Sequence, residues 1–333
     1  MKKAFTLPSV VALLVSAALC SSAQNGMQSA APIAQTGQSG QPKPGSSSQF
    51  TFRMDAEEVV LNCTVVNNKG ELVNDLTAGN FKILEDKIPQ TVISLQHQDT
   101  PVSIGMVIDN SGSMSSKRAA VASAALDLVK ASNPQDETFV INFSDQAYLD
   151  QDFTSDLDKL QNGLAHLSLT GSTALYDTLV TAAEKMQRSA TRPRKVLIVI
   201  TDGDDNASKL TLKNAIHSVQ DMQGPIIYSI GLLFAGDKSR HARHDLEALS
   251  NETGGIAFFP TSLQEIDSVA AQVARDIRNQ YAVAYHSKET SVEGYHAVKI
   301  EARSPKHGKL TVYSRSGYLV KVSSSRNPST KTN

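Results

Sequence analysis

Four short, unbroken apolar runs dictate the architecture of this chain: SIGMVID (103–109), TFVINFS (138–144), KVLIVITDG (195–203) and PIIYSIGLL (225–233). A strand that reads as a continuous apolar run, rather than an alternating one, suits a sheet covered on both faces. Helical patterns fall between and after the runs. Val121, Ala125 and Leu128 share one face; so do Leu175, Leu179, Ala182 and Met186, then Leu212, Ile216 and Val219. Leu263, Ile266, Val269, Val273 and Ile277 make a last amphipathic helix. Strands alternating with helices predict an α/β fold over 101–280, a doubly wound, mostly parallel, Rossmann-like sheet with helices on both faces.

The flanks have a different period. In 51–98, Val59, Leu61, Cys63 and Val65 point one way, and Val60, Asn62 and Thr64 the other. Asn68-Lys69-Gly70 marks a turn, and FKILEDKIPQTVISLQ reads as two strands about a turn at Glu85 to Lys87. In 281–320, YAVAYHS, YHAVKIEAR and KLTVYSRSGYL read as three strands. Neither segment can bury an apolar face well alone. The two are expected to form one small β module beside the α/β domain. Cys63 is expected to serve as a small buried hydrophobe.

The first 23 residues have the layout of an export signal: Lys2 and Lys3, an apolar stretch from Leu7 to Leu19, then Ser21-Ser22-Ala23. Cleavage is expected after Ala23. Two alternatives stand beside this reading. One is a lipoprotein signal ending at Cys20, against which the bulk of Leu19 argues; the other is a short anchor that stays attached. Residues 24–50 are rich in Gln, Gly, Ser and Pro and read as a disordered linker, and 321–333 as a disordered tail. The chain is therefore expected to be exported, to the periplasm or the medium, with no stable membrane span after processing. Lys and Arg total 32 against 33 Asp and Glu, so nothing points to nucleic acid.

In open parallel sheets, ligands bind outside the carboxyl ends of the strands. The first run ends in Asp109, with Ser111 and Ser113 on the loop that follows; KVLIVITD ends in Asp202; and Thr173 stands just before a helix starting near Ala174. The inferred topology brings the three loops to one edge. Two carboxylates and three hydroxyls form an all-oxygen set suited to a hard cation, Mg²⁺ first, with Mn²⁺ or Ca²⁺ as alternatives. Zinc would want His or Cys, and these loops offer none. Neutral hydroxyls leave much of the ion's charge unquenched, so it stays attractive to a carboxylate from another molecule. Nearby polar residues have plainer readings: Asp204 and Asp205 are loop acids, Asp177 a first-turn charge and RHARHD a helix surface, while Asn142, at the end of the second strand, is expected to reach the site edge.

Together DNSGSM, TGSTALYDTL and VLIVITDGDDN resemble the three loops of a von Willebrand factor type A domain with a metal-ion-dependent adhesion site. The flanking segments are similar to those of exported bacterial proteins built around such a domain. The resemblance assigns Asp109, Ser111, Ser113, Thr173 and Asp202 to the metal. It implies a non-enzymatic protein-binding or adhesion module whose partner offers an Asp or Glu carboxylate. Two alternatives remain at this point: a metal-assisted hydrolase, weakened by the lack of a well-placed general base, and a structural envelope module whose metal is dispensable. DNSGS lacks the G-x-S-x-G elbow of a serine hydrolase.

Overall fold

The computed structural model describes residues 58–97, 99–165, 171–234, 239–287 and 292–320. The expected signal, the linker and the tail lie outside the described residues. In chain order the elements are β1 (Glu58–Asn67), β2 (Phe81–Glu85), β3 (Ile88–Gln90), β4 (Val92–Gln96), β5 (Val102–Asp109), α1 (Arg118–Ala131), β6 (Glu137–Phe143), β7 (Ala147–Thr154), α2 (Leu157–Ala165), α3 (Leu175–Ser189), β8 (Arg194–Thr201), α4 (Leu212–Asp221), β9 (Ile226–Gly231), α5 (Ser239–Thr253), β10 (Ala257–Phe258), α6 (Ile266–Arg278), β11 (Tyr281–His286), β12 (Gly294–Ala302), β13 (Leu310–Ser314) and β14 (Gly317–Val320).

The four apolar runs become β5, β6, β8 and β9, the parallel centre of a six-stranded sheet ordered β10-β9-β8-β5-β6-β7. Every residue of β5 is buried, because helices cover both faces. Ile104, Met106 and Ile108 pack with α1 and α6 on one side, while Val107 packs with α3 and α4 on the other. Each such apolar side chain taken out of water contributes about 1.5–3 kcal/mol before entropy is counted. Gly105 has a steric reason. A Cβ there would lie 2.4 Å from both Leu197 Cδ2 and Phe139 Cζ, which fill the space instead. The chain winds outward from β5 in both directions, first to β6 and later to β8. This is the switch point at which open α/β sheets place ligands.

Two elements go beyond the sequence reading. β7 closes the sheet as an antiparallel edge, and α2 follows it. The segment AYLDQDFT has no clean alternation, because its residues are only half buried and its register against β6 shifts twice.

The flanks form two further antiparallel sheets, ordered β13-β1-β11-β4 and β14-β12-β2-β3. Strands from both ends of the chain interleave: β1 lies between β11 and β13, and β2 pairs with β12. Leu61, Cys63, Ile83, Tyr281, Val283, Tyr285 and Ile300 share the core of this module. Burial pushes the Cys63 thiol up to about 12, so it packs as a hydrophobe. The stretch 309–319, read as one strand, is two. It breaks at Arg315-Ser316, where the Ser316 carbonyl accepts from Val298 N at 2.7 Å and its N–H donates to Glu252 O. β13 and β14 thus serve different sheets. The segment 88–96 is likewise divided into β3 and β4.

A buried polar seam joins the module to the α/β part. Arg194 on β8 donates to Gln280 Oε1 (2.5 Å), and Gln280 Nε2 donates to the Tyr228 hydroxyl (3.0 Å) and to Thr64 Oγ1 on β1 (3.3 Å). No helix among the described residues is long and apolar enough to cross a membrane.

Candidate metal centre

β5 delivers Asp109 to the edge of the sheet next to β8, since Ile108 is in register with Ile200. That register sets Thr201 beside Asp109, and the threonine hydroxyl donates to Asp109 Oδ2 at 2.6 Å. The other carboxylate oxygen, Oδ1, accepts from Ser111 N at 2.8 Å. Asp109 is fully buried. Desolvation raises its carboxyl above the ordinary aspartate value, while the hydrogen bonds from Thr201 and Ser111 and the backbone oppose the rise.

After Asp109 the chain makes a tight 3-10 turn over Gly112–Met114. The turn points both serine hydroxyls to the same place. Ser111 Oγ lies 3.1 Å from Ser113 Oγ, and Ser113 Oγ donates to Asp202 Oδ1 at 2.7 Å. Ser113 therefore does not cap α1, whose N-cap residue, Lys117, makes no side-chain cap bond. Lys117 Nζ instead bonds Asp202 Oδ2. The Asp202 side chain is only 1% exposed.

Thr173 enters through a third loop. Its N–H donates to Asn206 Oδ1 at 2.8 Å, and its carbonyl accepts from Asn206 N and Ala207 N. Asp205 accepts from Tyr176 N in the first turn of α3 and from Ser208 N. The Thr173 loop and the Asp202 loop are thus stitched into one unit. Among the described contacts, the Thr173 hydroxyl makes no hydrogen bond to Asp109, Ser111, Ser113 or Asp202. Asp109, Ser111, Ser113 and Asp202 form one chain of contacts, and Thr173 is held beside it by its backbone.

The neighbours also acquire definite places. Asp177 binds the N–H groups of Lys209 and Leu210, at 2.9 Å each. Asn142 does not reach the site. It accepts from the buried Arg118 at 2.6 Å and donates to Asp150 and to Gly163 O. His241 and His244 are exposed on α5 and face the buried Asp245, which also accepts from the Tyr176 hydroxyl. Sequence reasoning missed Lys117, Thr201 and Asn206. Only Thr201 carried a signal, as the residue immediately before Asp202.

The donor set fits a hard cation. Adjacent oxygens around an ion bound at 2.0–2.1 Å in octahedral order stand about 2.9 Å apart. The Ser111 and Ser113 hydroxyl oxygens, 3.1 Å apart, are close to that spacing, and the Asp202 carboxylate is hydrogen-bonded to Ser113 beside them. Two buried carboxylates at one sheet edge call for positive charge; Lys117 supplies one charge at Asp202, while Asp109 is held by the neutral donors Thr201 and Ser111.

Residues 104–204 match the family model of the von Willebrand factor type A domain. Asp109, Ser111, Ser113, Thr173 and Asp202 all lie within the matched residues. Among solved structures, the chain is similar to a von Willebrand factor type A protein from Catenulispora acidiphila, with 12% identity over 80% of this chain and 75% of that one and a TM-score of 0.48. It is also similar to the vWF domain of the type V pili tip protein Mfa5 from Porphyromonas gingivalis, with 14% identity over 54% of this chain and 95% of that one and a TM-score of 0.46. A third is the PilB minor pilin from Streptococcus sanguinis, with 15% identity over 55% and 62% of the two chains and a TM-score of 0.44. No curated protein matches the chain.

Proposed function

We propose that this protein is an exported, non-enzymatic binding module that uses a divalent cation, Mg²⁺ first, to recognise an acidic side chain on a protein partner. The observation that carries the reading is the contact chain of Asp109, Ser111, Ser113 and Asp202 at the switch point of the sheet. The type A match over the segment that holds these residues supports it.

In this reading, Ser111 and Ser113 ligate the ion directly, and Thr173 does so directly or through a water. Asp109 and Asp202 supply negative charge mainly through waters and hydrogen bonds. Thr201 and Ser111 N fix the Asp109 carboxylate so that it need not reorganise. A bound Mg²⁺ supplies one thing these side chains lack, a Lewis-acidic position open to a carboxylate oxygen from outside. Because the loop of Thr173 is tied to that of Asp202, a shift of one carries the other. A partner that prefers one arrangement shifts the population toward it.

Capture from the native envelope or medium tests the reading. A partner should be retained with Mg²⁺, released by EDTA and lost with Ser113→Ala or Thr173→Ala. Equal retention in EDTA would remove this edge of the sheet as the recognition surface.

A further inference from the structure

Lys117 is a cationic side chain at the site to which the metal reading gives no role. It stands four residues after Ser113 and at the N-cap of α1, where its N–H bonds Met114 O at 2.9 Å. This turn aims its side chain back across the loop. The ammonium bonds Asp202 Oδ2 while the other oxygen of the same carboxylate accepts from Ser113. The Lys117 side chain is mostly covered, and its Nζ lies 5.6 Å from the centre of the Phe234 ring. One positive charge thus has two favourable places within a short swing of a flexible stem: the Asp202 carboxylate and the face of an aromatic ring.

We propose that Lys117 is an internal counter-cation that competes with the divalent ion for Asp202. The inference rests on the metal reading above. With Asp202 nearly sealed from water, its charge needs a partner at all times. In the absence of the ion the ammonium fills that role and keeps Ser113 and Asp202 in place. A divalent ion that draws on the Asp202 charge through its waters stands close enough to repel an ammonium on the same carboxylate. Loading the ion therefore moves Lys117 off Asp202 toward Phe234 and solvent. Metal affinity is then set by an exchange of cations, and it is lower than the oxygen donors alone would give.

Two measurements on the full chain test this. The first is calorimetric titration of Mg²⁺ into wild type, Lys117→Met and Lys209→Met. Met keeps the length of the stem without the charge. Lys209→Met removes one charge from the β8–α4 loop, whose Lys209 side chain makes no described bond to the site. Lys117→Met should bind Mg²⁺ at least tenfold more tightly than wild type, and Lys209→Met only slightly so. In EDTA, Lys117→Met should melt below wild type, because Asp202 has lost its cationic partner and keeps only the Ser113 hydroxyl. The second measurement needs no substitution. Acetylation of wild type by an N-hydroxysuccinimide ester, read by peptide mass, should rise several-fold at Lys117 when Mg²⁺ is added. Wild type that binds Mg²⁺ no more weakly than Lys117→Met, with unchanged labelling at Lys117, overturns the exchange and leaves the metal site standing. Failure of wild type and Lys117→Met alike to bind Mg²⁺ overturns both.

Discussion

Asp109 and Asp276 are both buried carboxyls, but their surroundings differ. Asp109 is held by Thr201 and Ser111 and faces a second acid across the loop. Asp276, on α6, has a buried Oδ2 with no hydrogen-bond partner among the described residues. Desolvation pushes its carboxyl up to about 7, with Arg275 opposing. The folded chain then keeps a proton that the unfolded chain has released between pH ~4 and ~7. The stability Asp276 contributes is present in full below pH ~4 and is lost as the pH rises through 7. Asp276→Asn removes the titration. Chemical denaturation should show this variant gaining on wild type from pH 4 to pH 8, by a difference of order 4 kcal/mol. Parallel pH profiles for the two proteins would contradict the assignment. At this scale the sequence was legible where the signal is local. Asp109, Ser111 and Ser113 lie in one hexapeptide. Lys117 was not legible, because a lysine at the start of a helix looks solvated until the fold sets Asp202 against it.

The central strand is the element on which the site depends. β5 positions Asp109 through its register with β6 and β8, and Gly105 lets Phe139 and Leu197 close over it. Gly105→Ala forces those two side chains apart. It should cost about 1–3 kcal/mol by overpacking, read from the urea midpoint, with weaker Mg²⁺ binding because the strand end shifts. An unchanged midpoint would mean that the space is not filled as described. Leu179→Ala on α3, at a side chain fully buried against the same sheet face, should cost about 2–5 kcal/mol, read from the same urea midpoint. The parallel strands were readable because burial on both faces leaves an unbroken apolar run. β7 and α2 were not, since an edge strand half open to water carries neither that run nor a clean alternation.

At the scale of the whole molecule, the β segments show what periodicity can and cannot give. Alternation in 294–302 marks which side chains face inward, whereas in β1 it fails from Cys63 to Val66, where Thr64 and Val66 are buried too because the strand is covered on both faces. It does not name partners, and so the interleaving of β1 between β11 and β13 follows only from the fold. The interleaving has a consequence. Deleting residues 51–98 removes β1 to β4, strands of both flanking sheets, and uncovers Tyr281, Val283, Tyr285 and Ile300. The truncated chain should aggregate or bind a hydrophobic dye, as light scattering and dye fluorescence would report. A monomer as heat-stable as the parent would show that the two segments are independent. The central claim, that the α/β edge holds a divalent cation through Asp109 and its neighbours, is tested most directly by calorimetric titration of Mg²⁺ into wild type and Asp109→Ala. Wild type should bind, and Mg²⁺ at 100 times its dissociation constant should stabilise it by about 2.7 kcal/mol, while Asp109→Ala folds but gains nothing. Equal binding by the two proteins would contradict the account.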